Sequence, residues 1–164
     1  MSGTSKKLEL RMYGLVPYNI SPIQQGIQFG HAVVEYGLKY GKTEEYKKWA
    51  KKDKTFIILN GGTTNTNTVA SMQGHLLALC AMNVPHARFH EPDLNDALTG
   101  IVFLVDERVF NKKKYPDYDP DFMVDYLEDG ADYTKNDSFK KYLKSIGGKK
   151  NHELREFLKQ FKLA

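Results

Sequence analysis

The chain has 164 residues, with 24 Lys and Arg against 20 Asp and Glu, a formal charge of +4; 41% of the residues are hydrophobic and 27% charged. This is the make-up of a soluble globular domain, and its length suits one domain with a single core rather than two. The longest apolar runs, Phe56–Leu59 and Ile101–Val105, fall far short of a membrane span, so no membrane partner is expected. No charged segment followed by an apolar run opens the chain, so no secretory leader is expected either. The single cysteine, Cys80, excludes an internal disulfide framework and a multi-Cys zinc site, which makes a cytoplasmic setting the default. A charge of +4 allows an anionic partner without demanding one.

In chain order, the polar MSGTSKK start is expected to fray, and Leu8–Val16 reads as a first strand. Ser21-Pro22-Ile23-Gln24 carries an N-cap, a proline suited to the first helical position and a capping-box Gln, predicting a helix to about Lys39 that Gly41 ends. Glu44–Lys51 reads as a short charged helix, and Lys54–Asn60 as a buried strand closed by Gly61-Gly62. After the polar loop Thr63–Asn67, Asn67 or Thr68 is positioned to cap a helix running to about Met82, with Val69, Met72, Leu76, Leu79 and Cys80 on one side. His86–Glu91 and Thr99–Asp106 are the last two strands, and helical segments follow from about Asp121. The predicted fold class is α/β: a three-layer α/β/α arrangement around a four-stranded mixed sheet, covered on both faces. Residues 8–107 form that domain, and residues 108–164 a charged, largely helical C-terminal extension packed on it. Within the extension, eight acids between Asp117 and Asp137 precede eight bases between Lys140 and Lys162, an arrangement that pairs internally or is solvated.

The first helix carries an unusual stripe. At 100° per residue, Gln24, Gln28, His31 and Glu35 share a narrow sector. Ile23, Ile27, Val34 and Leu38 occupy the sector beside it, Gly26, Gly30, Val33 and Gly37 form a small-residue side, and Phe29 and Tyr36 cover the rest. Most of the helix therefore asks for burial, and a narrow polar stripe on such a helix suits the wall of a cleft. An imidazole at His31 suits general acid/base work; a packed histidine with one hydrogen bond is the plainer alternative. The small-residue side allows a second copy of the chain to approach, as in a homodimer.

These residues resemble the type II peptidyl-tRNA hydrolase family. The element order matches that family's small α/β/α domain, and Gln24-Gln25-Gly26-Ile27-Gln28-Phe29-Gly30-His31-Ala32 looks like its first-helix signature. The segment Phe89–Asn95 sits where the family places an Asp-Ala-Gly-x-Thr loop before its last strand. The resemblance covers residues 8 to 107. It implies that Gln24 stands at the family's lysine position, Glu91 at its Asp and Asn95 at its Thr, with His31 retained. The variant loop is similar to that of phage-encoded relatives, which implies a host-cytoplasm location if the chain is viral.

On this resemblance His31 and Glu91 form an acid/base pair, with water attacking an acyl ester and the amides of Gln24, Gln28 or Asn95 stabilising the oxyanion. Glu91 and Asp93 also suit the plainer role of acids that cap a turn. Asp93 and Arg88 are further candidate substrate contacts, although strand alternation sets His86, Arg88 and His90 on the face opposite Ala87, Phe89 and Glu91. The backbone and hydroxyls of Thr63, Thr64 and Asn65 lead into a helix and offer a phosphate site. The scattered histidines show no metal-binding spacing, and the chemistry calls for no metal or cofactor. Lys47, Lys48, Lys51, Lys52 and Lys54 around Trp49 and Tyr46, with Lys112–Lys114 beside Tyr115, are compatible with tRNA backbone contact and base stacking. The expected activity is hydrolysis of a tRNA-linked acyl or peptidyl ester. The alternatives are the same fold binding or hydrolysing a small nucleotide signal, such as a cyclic one, as a phage anti-defence protein, and a non-catalytic interaction module.

Overall fold

The computed structural model of the chain describes residues 7–65, 70–119 and 133–164. The N-terminal fraying, the Asn67 or Thr68 cap and the acidic run from Asp121 to Asp132 lie outside these residues. The elements are β1 (Leu10–Val16), α1 (Pro22–Tyr40), α2 (Glu44–Lys48), β2 (Thr55–Asn60), α3 (Met72–Ala81), β3 (His86–Glu91), β4 (Ala97–Asp106), α4 (Glu107–Phe110), α5 (Tyr133–Ser145) and α6 (Lys149–Leu158). The sheet order is β2-β1-β4-β3, with β1 and β2 parallel and the other two pairings antiparallel. It is the mixed four-stranded α/β arrangement that the pattern predicts.

Local chemistry sets the ends of the elements. Ser21 Oγ accepts the Gln24 N–H at 3.2 Å and opens α1. The second half of the expected capping box is replaced: the Gln25 side chain, not that of Gln24, donates back to the carbonyls of Pro17 and Ile20. α2 widens into a π-turn over Trp49–Asp53, which ends at Lys54 with φ of 48°. β2 therefore starts one residue later than expected. α3 starts at an N-cap on Ser71, whose Oγ accepts from the Gly74 N–H.

Each face of the sheet has its own apolar cluster. On one, α1 brings Phe29, Ala32 and Tyr36 onto Met12, Val16, Ala87 and Val102, with Trp49 at the margin. On the other, α3 brings Met72, Leu76 and Leu79 onto Leu15, Ile101 and Phe103, and Leu154 and Phe157 of α6 complete that layer. The extension thus closes the second face. Arg155 fixes it there: its buried guanidinium donates to the carbonyls of Arg108 and Tyr115 and to the Asp117 carboxylate. The Lys162 carbonyl accepts the Asn60 N–H and the Ala164 N–H bonds the Ile58 carbonyl, so the last residues cover part of the β2 edge.

Two glycines let α1 lie close on the sheet. A Cβ at Gly14 would sit 2.2 Å from the Phe29 ring, and one at Gly100 would sit 2.7 Å from the Gln28 carbonyl oxygen. Side chains there would lift α1 and everything it carries.

Candidate functional site

Where α1 crosses the ends of β3 and β4, a polar residue is buried. Gln28 is 1% exposed. Its Nε2 donates to Glu91 Oε2 at 2.7 Å, and its Oε1 accepts from Thr99 Oγ1 at 2.6 Å. The second Glu91 oxygen accepts the Asp93 N–H at 3.3 Å, which caps the short 3₁₀ turn Pro92–Leu94. One carboxylate is thereby held by an amide on one side and a turn on the other. The Gln28 hydrogen bond, the Asp93 N–H and the charge of His31 together hold Glu91 below the ordinary glutamate pKa, so it is ionised near neutral pH.

Thr99 reaches Gln28 through an irregularity in the sheet. Phe89 pairs with Gly100 and His90 pairs with Leu98, so Thr99 is an extra residue in β4, a β-bulge. The bulge turns the fully buried Thr99 hydroxyl onto Gln28. Sequence reading missed Thr99, which there marked only the start of an apolar strand. The Thr-Gly pair ahead of that run was the available signal, since glycine in a strand often marks a bulge or a close backbone approach.

His31 lies exposed on α1, its ring 4.4 Å from the ring of Phe89 at an interplanar angle of 54°. Its charge is the smallest of the influences that lower the Glu91 pKa. Glu35 is exposed one turn further along. Gln24 is exposed near the start of α1. Asn95 and Asp96 form the reversal into β4 with φ of 54° and 55°, left-handed conformations that Asn and Asp tolerate best. Asn95 is thus an exposed turn residue on the rim, and the hydroxyl that touches Gln28 comes from Thr99 instead.

Three groups of expected contacts lie elsewhere. Arg88 pairs in register with Ile101, whose side chain belongs to the α3-side cluster, and so stands on the face away from α1. Thr63, Thr64 and Asn65 follow β2 at the same end of the sheet, but β1 and β4 separate them from β3, about 14 Å at ordinary strand spacing. There the Thr63 carbonyl accepts the Met72 N–H, and Thr63 Oγ1 is buried with no partner among the described residues. Trp49 is 4% exposed and donates its Nε1–H to the Thr55 carbonyl, so it offers no stacking surface to a base.

The lysines around it do form a surface. A cleft of about 810 Å³ at the start of β1 is lined by Lys7, Lys47, Lys48, Lys51, Lys52 and Arg108, with Glu44, Glu45 and Asp106. Lys48 is committed to Asp53 at 2.6 Å, whereas Lys51 and Lys52 are exposed. Seven residues of β1 place this cleft about 20 Å from the Glu91 end of the sheet. His86 bonds the Val84 carbonyl and His90 the Asp96 carbonyl. Among the described residues no three His, Cys, Asp or Glu side chains converge as metal ligands, and no helix is long and apolar enough to cross a membrane.

Fold and site together define a small mixed-sheet α/β domain with a fixed carboxylate and an exposed imidazole at one end of its sheet. No family model matches the chain, and no curated protein matches it.

Proposed function

We propose that the chain hydrolyses an acyl or peptidyl ester carried by tRNA, in the manner of the type II peptidyl-tRNA hydrolases that its first helix resembles. The observation that carries this reading is the Thr99–Gln28–Glu91 chain of hydrogen bonds, which fixes an ionised carboxylate against the helix that carries His31. A buried amide spent on one carboxylate is dear for packing alone, because both of its ends must find partners.

In this reading His31 takes a proton from water as the water oxygen bonds to the acyl carbon, and Glu91 stabilises the imidazolium that results. The carbon–oxygen bond to the ribose then breaks, and the imidazolium returns its proton to the leaving oxygen. The products are a free carboxylic acid and a tRNA with its terminal hydroxyl restored. Gln24, one turn before Gln28 on α1, and Asn95, in the turn that follows Glu91, are the exposed amides this reading assigns to the oxyanion, and the basic cleft at the other end of the sheet suits a long polyanion. That separation favours tRNA over a small nucleotide, since a ligand held at Thr63–Asn65 would have to span about 14 Å to meet Glu91. A second copy of the chain is the other partner in this reading.

The test is release of the acyl group from an N-blocked aminoacyl-tRNA by the full chain. His31→Ala is expected to lower the rate by about 10²- to 10⁴-fold. Absence of turnover by the unaltered chain, or turnover that survives His31→Ala, refutes the site. Thermal stabilisation by a nucleotide without any turnover would favour a sequestering role instead.

A further inference from the structure

The solvent side of α1 carries an apolar line that the site does not use. Ile23, Ile27, Val34 and Leu38 are 77, 43, 62 and 78% exposed. With Gly30 they fall within about 80° of one another on the helix, opposite the sheet. Single exposed aliphatics need no account, but four aligned on one helix do. We propose that this face is covered by the same face of a second copy, the two α1 helices packing antiparallel about a two-fold axis at Gly30–His31.

The spacing itself argues for this occupant. Ile27 precedes Gly30 by as many residues as Val34 follows His31, and Ile23 and Leu38 repeat that relation further out. An axis through the midpoint therefore lays Ile27 on the partner's Val34 and Ile23 on the partner's Leu38. Two-fold contacts are self-complementary in this way, whereas an unrelated partner imposes no such symmetry on the residues it meets. At the axis, a Cβ on Gly30 would meet nothing within 4 Å, so the backbones are free to approach there.

Charge and area agree with it. The apolar line carries no charge, and Glu35 on its flank would come beside the early turns of the partner helix, whose first turn holds no acid. Antiparallel helices also set opposite dipole ends side by side. A 19-residue helix presents a face about 28 Å long, and two such faces bury on the order of 1,000 Å² in all. That is the lower edge of a specific interface, and it implies dissociation at micromolar concentration. The pairing would bring the partner's His31 to the seam beside this copy's Gly30, so two His31–Glu91 sites would share one surface. None of this depends on which ester is cut, because mass is read without substrate.

Sedimentation equilibrium of the full chain between about 1 and 300 μM tests it, with a Kd on the order of 10 μM expected. The mass should rise from one chain to two, and Val34→Glu should remain a single chain throughout. Val34 is exposed, so well below that Kd, where the parent is also a single chain, the variant keeps the parent's unfolding midpoint. In a Cys80→Ser background with oxidised glutathione, Gly30→Cys should cross-link to itself, since helices about 8 Å apart bring facing Cα atoms within disulfide range. Gly26→Cys, more than a turn from the axis, should not. A chain that stays single at every concentration, a dimer that Val34→Glu leaves intact, or equal cross-linking at both positions would overturn the proposal.

Discussion

The two sides of α1 invert the usual arrangement of a surface helix. Toward the sheet, alongside Phe29 and Ala32, it buries the amide of Gln28; toward solvent it presents Ile23, Ile27, Val34 and Leu38. Residue hydrophobicity alone would have turned the helix the other way. What sets its orientation is fit: Phe29 rests over Gly14, the backbone at Gln28 meets Gly100, and both ends of the Gln28 amide have partners. A polar group inside with every bond made costs little, whereas the same group without partners costs 1–3 kcal/mol or so. The apolar line is left outside, where it is free to serve another purpose.

The sharpest way to break this contrast is on the buried side. Gln28→Ala removes a buried side chain and leaves Thr99 Oγ1 and Glu91 Oε2 without their partner, so urea unfolding should show a loss of about 2–4 kcal/mol. A smaller effect should appear in the titration of Glu91, followed by carboxyl NMR. Because its pKa is depressed in the folded chain, Glu91 contributes stability above the ordinary glutamate value, and that contribution is lost as pH falls through the folded value. A conservative Gln28→Met change, which keeps the bulk but not the donor, should move the midpoint up toward that of an ordinary glutamate. The smallest effect is expected on the outer side. Ile23→Ser, at a residue 77% exposed, should leave unfolding of the single chain within about 0.5 kcal/mol of the parent. A large loss there would mean that the face is already covered within one chain.

Much of the fold was legible because its signals are local. Ser21, Pro22 and Gly41 mark α1, and β-branched runs mark β2 and β4. Periodicity grouped Gln28 with His31, and alternation placed Glu91 on the face that meets them. What periodicity could not say was which sector of α1 would face the sheet, since Gly14 and Gly100 decide that from other elements. Nor could it find Thr99, because a bulge suspends the alternation on which strand reading depends. The Thr63–Asn65 loop was grouped with the site by its chemistry; the strand order sets two strands between them. Trp49 looked like a base-stacking residue among lysines, but a π-turn folds it under them.

The bulge at Thr99 also ties two choices into one. Were β4 to pair with β3 without that extra residue, Ala97 and Leu98 would exchange faces and the hydroxyl would leave the Gln28 amide half bonded. Strand register and the setting of the carboxylate are therefore read from the same hydrogen bond. An error in pairing the sheet would be felt at once at Glu91, and the ordered site certifies that its edge strand has been laid down correctly.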